Sequence, residues 1–405
     1  MLWWRRRTGQ GGNRRLTLHI GTPKSGTTHL QARLRAARAE LRGAGVLYPG
    51  ADHPPRDGLN QQGAMYAVAP PEVHWATPVV RANGARQLER LRTELDRHPG
   101  HALVSAEVLA SFTREAIPIL LDALGYPPDS VRVVITSRDV GRLLTSAWQE
   151  NVKNGATQAM ADYLASIAVQ RSGGESPFWR AYGLPRLVER WAAVVGMANV
   201  VLVTVPSSTA SPTAPGSRPR TTDLIPAQAS GRPGSGSRLA RPPGPRRPAP
   251  GGEDLWSRYT RACGLPSIAA PPPARRQEQN LSLSGSQVEL LRQVNLILDQ
   301  EQVPHPERQV LRSHLLQAWM GSAAGGGAPL GLDPEWLPTL RLWASDDRAA
   351  LDIQHEQGLH LVGTLDDLDP SPVLAVPGSP PPRVTDAAAD LLAVLRDLRR
   401  QVVSS

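Results

Sequence analysis

Residues 16–28 read LTLHIGTPKSGTT, and this stretch decides the fold that the rest of the chain completes. Its first five residues form an apolar segment typical of a short buried strand, and a turn rich in glycine and proline follows. Apolar residues then recur at spacings of four and three, the stripe of an amphipathic helix (Leu30, Leu34, Ala37 and Leu41). A strand, a loop and a helix in this order predict one unit of a parallel α/β sheet.

The loop in this unit has the chemistry of an anion site. The first backbone N–H groups of a helix have no partner inside it, and the helix dipole favours negative charge there. Lys24 adds a mobile ammonium, and Ser25, Thr27 and Thr28 add hydroxyl donors. We therefore expect this loop to bind a phosphate-like group.

The order of residues in the loop separates two kinds of phosphate chemistry. In a nucleotide-hydrolysing P-loop, G-x-x-x-x-G-K-[ST], the lysine follows the second glycine, but here Lys24 precedes Gly26. The run from Pro23 to Thr28 instead resembles the loop P-K-[ST]-G-T-T of sulfotransferases that use 3′-phosphoadenosine-5′-phosphosulfate (PAPS). The resemblance implies that Lys24 stabilises the oxygen bridging phosphate and sulfate. It also implies that Ser25 and the backbone from Gly26 to Thr28 bind the 5′-phosphate.

A second strand and helix extend this resemblance. Residues 131–137 form a β-branched strand, and Arg138 and Asp139 lead into a helix. Ser146 lies eight residues after Arg138, a spacing similar to the 3′-phosphate site of the same family. Arginine offers a forked set of donors to a dianionic phosphate, and serine adds a neutral donor. The resemblance therefore implies that Arg138 and Ser146 bind the 3′-phosphate.

Transfer of a sulfuryl group to a hydroxyl or amine benefits from a base that takes the acceptor's proton. Glu107 follows a predicted strand at 101–105, and ligands of parallel sheets bind beyond the carboxyl ends of the strands. We predict Glu107 as this base, with His53 and His74 as alternatives. The histidines lie in residues 51–80, a stretch without clear periodicity that we expect to form a lid or an acceptor-binding loop.

Composition gives an independent indication for Lys24. The chain has 45 lysines and arginines, of which only Lys24 and Lys153 are lysines. In such a chain a lysine marks a position where a compact ammonium is needed and a planar guanidinium would not serve. Lys153 is either a cation at a helix C-terminus or a contact with cofactor or acceptor, and the sequence leaves both open.

The net charge of +9 is concentrated in two segments. Residues 1–15 contain five arginines, and residues 207–250 contain seven arginines and one aspartate, so the rest of the chain is slightly negative. Because these segments have the composition of flexible chain, no basic binding face is indicated. We expect no nucleic-acid partner.

Other sequence features bear on the surroundings of the protein. The first residues, MLWWRRR, lack the apolar region of a secretory signal, and no apolar run reaches the ~18 residues of a membrane span. Cys263 is the single cysteine, which fits a reducing compartment and a small buried side chain. No Cys/His cluster has metal-ligand spacing. We expect a cytoplasmic protein with no membrane span and no bound metal.

The C-terminal half is predicted to be rich in helices. Residues 280–283 read NLSL and open a helix, in a way that resembles the bacterial, actinobacterial-type branch of the sulfotransferase family. Arg275 and Arg276 just before it either close over the 3′-phosphate or are solvated. Composition divides the chain into a flexible basic arm (1–15), a core (16–206), a disordered and dispensable insertion (207–252), a helical continuation (253–376), and a linker with a final helix (377–405). The resemblance implies that the core binds PAPS.

We therefore predict an α/β fold, a P-loop-like three-layer parallel sheet with helices on both faces and an α-rich C-terminal part. The chain is identified as a member of the PAPS-dependent sulfotransferases on residues 16–205. It would move a sulfuryl group to a hydroxyl or amine of a small-molecule, carbohydrate or lipid acceptor. Two other functions stay open: a P-loop kinase-type phosphotransferase, for which Asp139 is the nearest magnesium ligand, and a non-catalytic nucleotide-binding scaffold.

Overall fold

The computed structural model describes residues 14–50, 60–172, 176–206, 253–266, 283–321 and 330–370, and positions 268, 388, 391, 392 and 396. The chain divides into one unit made of Met1–Ser207 and Asp254–Ser405 and another made of Ser208–Glu253. Every helix and strand given below belongs to the first unit. Several predicted features lie outside the described residues: the arm up to residue 13, His53, the insertion 207–252, Arg275, Arg276 and most of 377–405.

Six strands form one sheet, in the order β2-β3-β1-β4-β5-β6, and every neighbouring pair is parallel. The strands are β1 (Arg15–His19), β2 (Val46–Leu47), β3 (His101–Ser105), β4 (Val131–Ser137), β5 (Val200–Thr204) and β6 (His360–Val362). Because β3 and β4 flank β1 on opposite sides, the strand order reverses at β1. In open α/β sheets ligands bind at such a reversal, beyond the carboxyl ends of the strands. The loop after β1 lies at this point.

Helices cover both faces of the sheet, because alternate strand residues point to opposite sides. Leu16 and Leu18 of β1 belong to the core on one face, whereas Val134 of β4 belongs to the core on the other. The first core is covered by α3 (Gln61–Met65), α4 (Pro78–Arg97), α5 (Ala116–Leu124) and α9 (Leu184–Val195). The second is covered by α1 (Thr27–Ala36), α2 (Arg38–Gly43) and α10 (Leu255–Ala262). The predicted α/β class with a parallel sheet is confirmed.

A third core is built mainly from helices. It contains residues of α6 (Val140–Lys153), α7 (Met160–Ser172), α8 (Pro177–Tyr182), α11 (Gly285–Gln300), α12 (His305–Gly321) and α13 (Leu337–Glu356). Arg171 lies over the rings of Trp179 and Trp343 and pairs with Asp347 at 2.8 Å. Ala388 and Leu392, from the predicted final helix, are also buried in this core. The helix α6 therefore joins the sheet to the helical part.

Two elements differ from the predicted pattern. α4 begins at Pro78 rather than near residue 85, with Thr77 as its N-cap. Gly84 interrupts the apolar stripe because the helix packs closely there: an added Cβ would lie 2.8 Å from the amide nitrogen of Ala67. The short strand β6 was not predicted, since three half-buried residues carry almost no strand pattern.

Side-chain contacts connect the described residues before and after 207–252. Arg258 donates from Nη1 to the carbonyl oxygen of Thr204 at 2.8 Å and to Oδ2 of Asp367 at 2.5 Å. The hydrogen bond joins α10 to the end of β5, and the buried ion pair joins α10 to the turn Leu365–Leu368. Among the residues that the structure describes, no helix has the length and apolar character needed to cross a membrane.

Candidate functional site

The loop after β1 has a left-handed backbone at three positions. The φ angles of Gly21, Lys24 and Gly26 are +42°, +70° and +91°. For a lysine this conformation costs on the order of 1–3 kcal/mol, and such strain is concentrated at functional sites. Glycine is needed at position 21, where an added Cβ would lie 2.5 Å from Cγ2 of Thr27. Backbones of this kind turn successive N–H groups toward one point, which favours an anion.

The helix after the loop presents further donors. α1 begins at Thr27 with Gly26 as its N-cap, and no side chain caps its first amides. These N–H groups and the helix dipole favour negative charge at the same point. Thr27 is buried and donates from Oγ1 to Oε2 of Glu107 at 2.5 Å, whereas Thr28 is half-buried.

The buried side chain of Ser25 stabilises the loop by hydrogen bonds. Its side chain is 1% exposed, and its Oγ donates to the carbonyl oxygen of Thr22 at 2.6 Å. The same Oγ lies 2.7 Å from Oγ1 of Thr136. Since the single hydroxyl proton of Ser25 goes to Thr22, Thr136 is the donor in this second contact. The family pattern predicts a phosphate contact for Ser25, whereas in this structure its hydroxyl stabilises the shape of the loop.

His19, the last residue of β1, continues this chain of hydrogen bonds. Its Nε2 lies 3.1 Å from Oγ1 of Thr136, and its Nδ1 lies 2.8 Å from Oγ of Ser105. Because the Thr136 proton goes to Ser25, the bonding pattern assigns the ring proton to Nε2. Gln31 donates to Ser105 at 3.1 Å. Burial lowers the pKa of His19 to about 3, so the loop rests on a neutral, hydrogen-bonded polar core.

Arg138 follows β4 and lies beside the loop. Its Nη1 donates to the carbonyl oxygen of Lys24 at 3.4 Å. The Nε of the same guanidinium is buried and has no hydrogen-bond partner among the residues that the structure describes. Burial lowers the pKa of Arg138, while the nearby Asp139 raises it. A bound anion would supply the missing acceptor and stabilise the buried cation.

Asp139 is the N-cap of α6. Its Oδ1 accepts from the backbone N–H of Arg142 at 2.9 Å, and its Oδ2 lies 3.7 Å from Nε of Arg142. The side chain is buried, and burial raises its pKa. A carboxylate used in this way stabilises the first turn of α6.

α6 carries one polar stripe on an otherwise largely buried helix. Arg142, Ser146, Glu150 and Lys153 are half-buried, and their spacings of four, four and three place them on one face. The stripe begins in the first turn of the helix. Near its other end, Oε2 of Glu150 accepts from Nζ of Lys24 in the loop at 2.7 Å. The predicted Ser146 therefore lies on the same helix face as a carboxylate that contacts the loop.

Glu107 begins a 3-10 turn, Glu107–Ser111, directly after β3. Its contact with Thr27 places it beside the first turn of α1. Tyr182 lies near both Glu107 and Glu150: burial chiefly raises its pKa, and these two carboxylates add to the effect. Phe178 stacks on Tyr182 with 4.5 Å between the ring centroids. A carboxylate and an aromatic pair thus lie near the loop.

The structure brings most of the predicted site residues together. Lys24 contacts Arg138, and Thr27 contacts Glu107, so residues after three neighbouring strands meet at one edge of the sheet. His74 is exposed and packs against Trp75, with 5.1 Å between the rings.

Two residues of the site were missed by sequence reasoning. Glu150 could have been found, because it lies four residues after Ser146 on a helix that the pattern predicts. His19 could not, because its role depends on Ser105 and Thr136, which reach it from two other strands.

Fold and site define a parallel α/β protein whose central strand opens into a donor-rich loop. Comparisons with protein-family models, curated proteins and solved structures find no match.

Within the described part of the chain, no group of three or more His, Cys, Asp or Glu side chains is placed to bind a metal ion. Cys263 is buried, and burial raises its pKa to about 12.

Proposed function

We propose that this protein is a sulfotransferase with a P-loop-like core, which transfers a sulfuryl group from PAPS to a hydroxyl or amine acceptor. The observation that carries the proposal is the 3.4 Å contact between the Arg138 guanidinium and the Lys24 carbonyl. The guanidinium predicted for the 3′-phosphate therefore lies beside the backbone of the loop predicted for the 5′-phosphate. A single ribose with phosphates on its 3′ and 5′ oxygens would extend from the loop to Arg138.

The 5′ end of the donor would bind at the loop. The amides from Gly26 to Thr28, at the positive end of α1, would donate to the 5′-phosphate, and Lys24 would donate to the bridging oxygen. Pro23 and Ser25 would act by fixing the loop, since the Ser25 hydroxyl donates to a loop carbonyl.

The 3′ end of the donor would bind Arg138 and Ser146. Arg138 has a buried donor without a partner among the described residues, and Ser146 lies two turns into α6 on its polar stripe. A dianionic phosphate would accept from both side chains. Arginine favours this ligand because its planar donors match two phosphate oxygens.

The reaction would be an in-line displacement at sulfur. Glu107 takes the proton of the acceptor hydroxyl or amine, and the acceptor oxygen or nitrogen forms a bond to sulfur. The bond between sulfur and the bridging oxygen breaks, and its electron pair stays on the 5′-phosphate of 3′,5′-adenosine bisphosphate. Lys24 and the loop amides stabilise this developing charge. The acceptor is a small molecule, carbohydrate or lipid, and the aromatic pair near Glu107 would contact it.

Calorimetric titration with 3′,5′-adenosine bisphosphate and with ADP tests the donor assignment. We expect the bisphosphate to bind at least tenfold more tightly than ADP, without magnesium. Preference for ADP and a requirement for magnesium would favour the kinase-type alternative instead. Tight bisphosphate binding with no sulfated product formed from PAPS would favour a non-catalytic scaffold.

Replacing Arg138 by Ala tests the 3′ site separately. We expect the variant to lose about 100-fold in affinity for the bisphosphate and less than about threefold for adenosine 5′-monophosphate, because only the first ligand has a 3′-phosphate. Arg142→Ala is the matched control, since Arg142 lies one turn further along and pairs with Asp139. Equal weakening of both ligands by Arg138→Ala would show that the 3′-phosphate binds elsewhere.

A further inference from the structure

Both lysines of the chain meet at one carboxylate. Lys24 donates from Nζ to Oε2 of Glu150 at 2.7 Å, and Nζ of Lys153 lies 3.9 Å from the same oxygen. The side chains of Lys24 and Lys153 are only 19% and 13% exposed. All other cationic side chains outside the histidines are arginines, so the two compact ammonium groups are found at this single point.

The three groups are electrostatically coupled. Burial lowers the pKa of Lys153, Glu150 raises it, and Lys24 lowers it again. Two cations thus share one anion, and the cluster carries one excess positive charge when all three groups are ionised. This excess favours an incoming anion at the loop.

An anion that binds at the loop competes with Glu150 for Lys24 and repels the Glu150 carboxylate. If Lys24 turned toward the anion with no other change, Glu150 would lose its close partner in a half-buried position, which is costly. Lys153 lies one turn further along α6 and needs to move by only about 1 Å to replace Lys24 as the hydrogen-bond donor.

We infer that Glu150 and Lys153 are positioning residues for Lys24. Without an anion, Glu150 fixes the Lys24 ammonium at the mouth of the loop. When the anionic donor binds, Lys24 moves to the donor and Lys153 takes its place on Glu150. This inference rests on the proposed anion site, but the ligand-free cluster can be tested without any assumption about the donor.

The ligand-free test uses the lysine composition of the chain. Reductive methylation with 13C-formaldehyde labels two side chains, and their NMR signals are assigned with Lys24→Met. We expect Glu150→Gln to lower the pKa of Lys153 and Lys24→Met to raise it, because these partners act in opposite directions. Glu356→Gln, an exposed site on α13, is the control and should leave it unchanged. If neither Glu150→Gln nor Lys24→Met changes the pKa of Lys153, the inference is overturned, whatever the donor is.

The second test measures binding of 3′,5′-adenosine bisphosphate by calorimetry. Glu150→Gln should tighten binding by about tenfold, and Lys153→Gln should weaken it by about tenfold, because Glu150 then retains Lys24. A simple effect of charge on anion binding would also make Glu150→Gln tighten binding and Lys153→Gln weaken it. The double variant distinguishes this effect from the exchange of lysines. In the Glu150→Gln background we expect Lys153→Gln to weaken binding less than twofold, since no carboxylate is left to neutralise.

Additive effects in this cycle would overturn the exchange, because Lys153 would then act through its own charge and not through Glu150. Lys153→Arg retains a cation that can pair with Glu150 and should bind more tightly than Lys153→Gln; equal binding by these two variants would contradict the partner role of Lys153. Circular dichroism and thermal unfolding of each variant establish that it is folded. If the wild type fails to bind the bisphosphate while the NMR couplings are present, the donor assignment fails and the lysine cluster stands.

Discussion

The two sides of the loop after β1 are built in opposite ways. On the inner side, Ser25, Thr136 and His19 are almost completely buried, and their hydrogen bonds form one continuous chain. On the outer side, Lys24 has a left-handed backbone and Arg138 has a buried donor without a partner among the described residues. The inner side is neutral and satisfied, whereas the outer side is charged, strained and short of acceptors.

The difference indicates how the two sides depend on each other. A strained backbone persists only where its surroundings fix it, and the inner hydrogen bonds provide that support. On the outer side, the Nε of Arg138 has no acceptor among the described residues, and Lys24 donates to Glu150. Substitutions on the outer side should therefore change ligand binding and chemistry, and substitutions on the inner side should change stability.

The largest effect is expected for Lys24→Ala on the outer side. Loss of the ammonium should lower the turnover of PAPS by about 100- to 1,000-fold, because the leaving oxygen loses its cation. Lys24→Arg should lose at least about tenfold, since a planar guanidinium does not fit the site of a compact ammonium. Release of 3′,5′-adenosine bisphosphate, followed by chromatography, measures the rate. Turnover within twofold of the wild type in Lys24→Ala would remove Lys24 from the reaction.

On the inner side, His19→Ala should reduce the free energy of unfolding by about 3 kcal/mol. The substitution removes the ring nitrogens that bind Thr136 and Ser105, and it opens a cavity beside Tyr259, whose ring lies 4.8 Å from that of His19. Urea unfolding followed by tryptophan fluorescence measures the change. His74→Ala is the control, because His74 is exposed. Equal stability of the two variants would show that the inner chain does not support the loop.

The inner side also predicts how stability depends on pH. The pKa of His19 is lowered to about 3 in the folded state, so between about pH 3 and 6.5 only the unfolded state takes up this proton. Stability is therefore lost as the pH falls through this window, by up to about 1.4 kcal/mol per pH unit for each such histidine. His101, with a pKa lowered to about 4, adds a second contribution. His19→Gln should reduce the slope between pH 4.5 and 5.5 by about 1 kcal/mol per unit; an unchanged slope would place the titration elsewhere.

Much of the outer side could be predicted from the sequence, because its residues lie in or next to local patterns. The loop at Pro23 to Thr28 follows a strand and precedes a helix, and the spacing from Arg138 to Ser146 is set by one helix. Glu107 was predicted because it follows a strand, and ligands of parallel sheets bind beyond the carboxyl ends of the strands. These inferences need only the neighbouring sequence and the direction of parallel strands.

The inner side could not be predicted, because it depends on register between strands distant in sequence. His19 lies opposite Ser105 on β3 and near Thr136 on β4, and both pairings follow from sheet order. The hydrogen bond between Ser25 and Thr136 could not be predicted for the same reason, because the two hydroxyls meet only after the sheet has formed. Local patterns indicate which residues carry charge, but not which hydroxyl a buried histidine will meet.

The smallest predicted effect separates the backbone of Lys24 from its side chain. Lys24→Gly and Lys24→Ala both remove the ammonium and its ion pair with Glu150, so their difference in stability reports the backbone: the relief of strain at a φ angle of +70°, less the entropy that glycine loses on folding. Glycine adopts this angle without steric cost, whereas alanine does not. We expect Lys24→Gly to be more stable than Lys24→Ala by about 1 kcal/mol in urea unfolding, although neither variant should turn over PAPS. Greater stability of Lys24→Ala would mean that the loop is not left-handed at this position, and that the strain assigned to its outer side is absent.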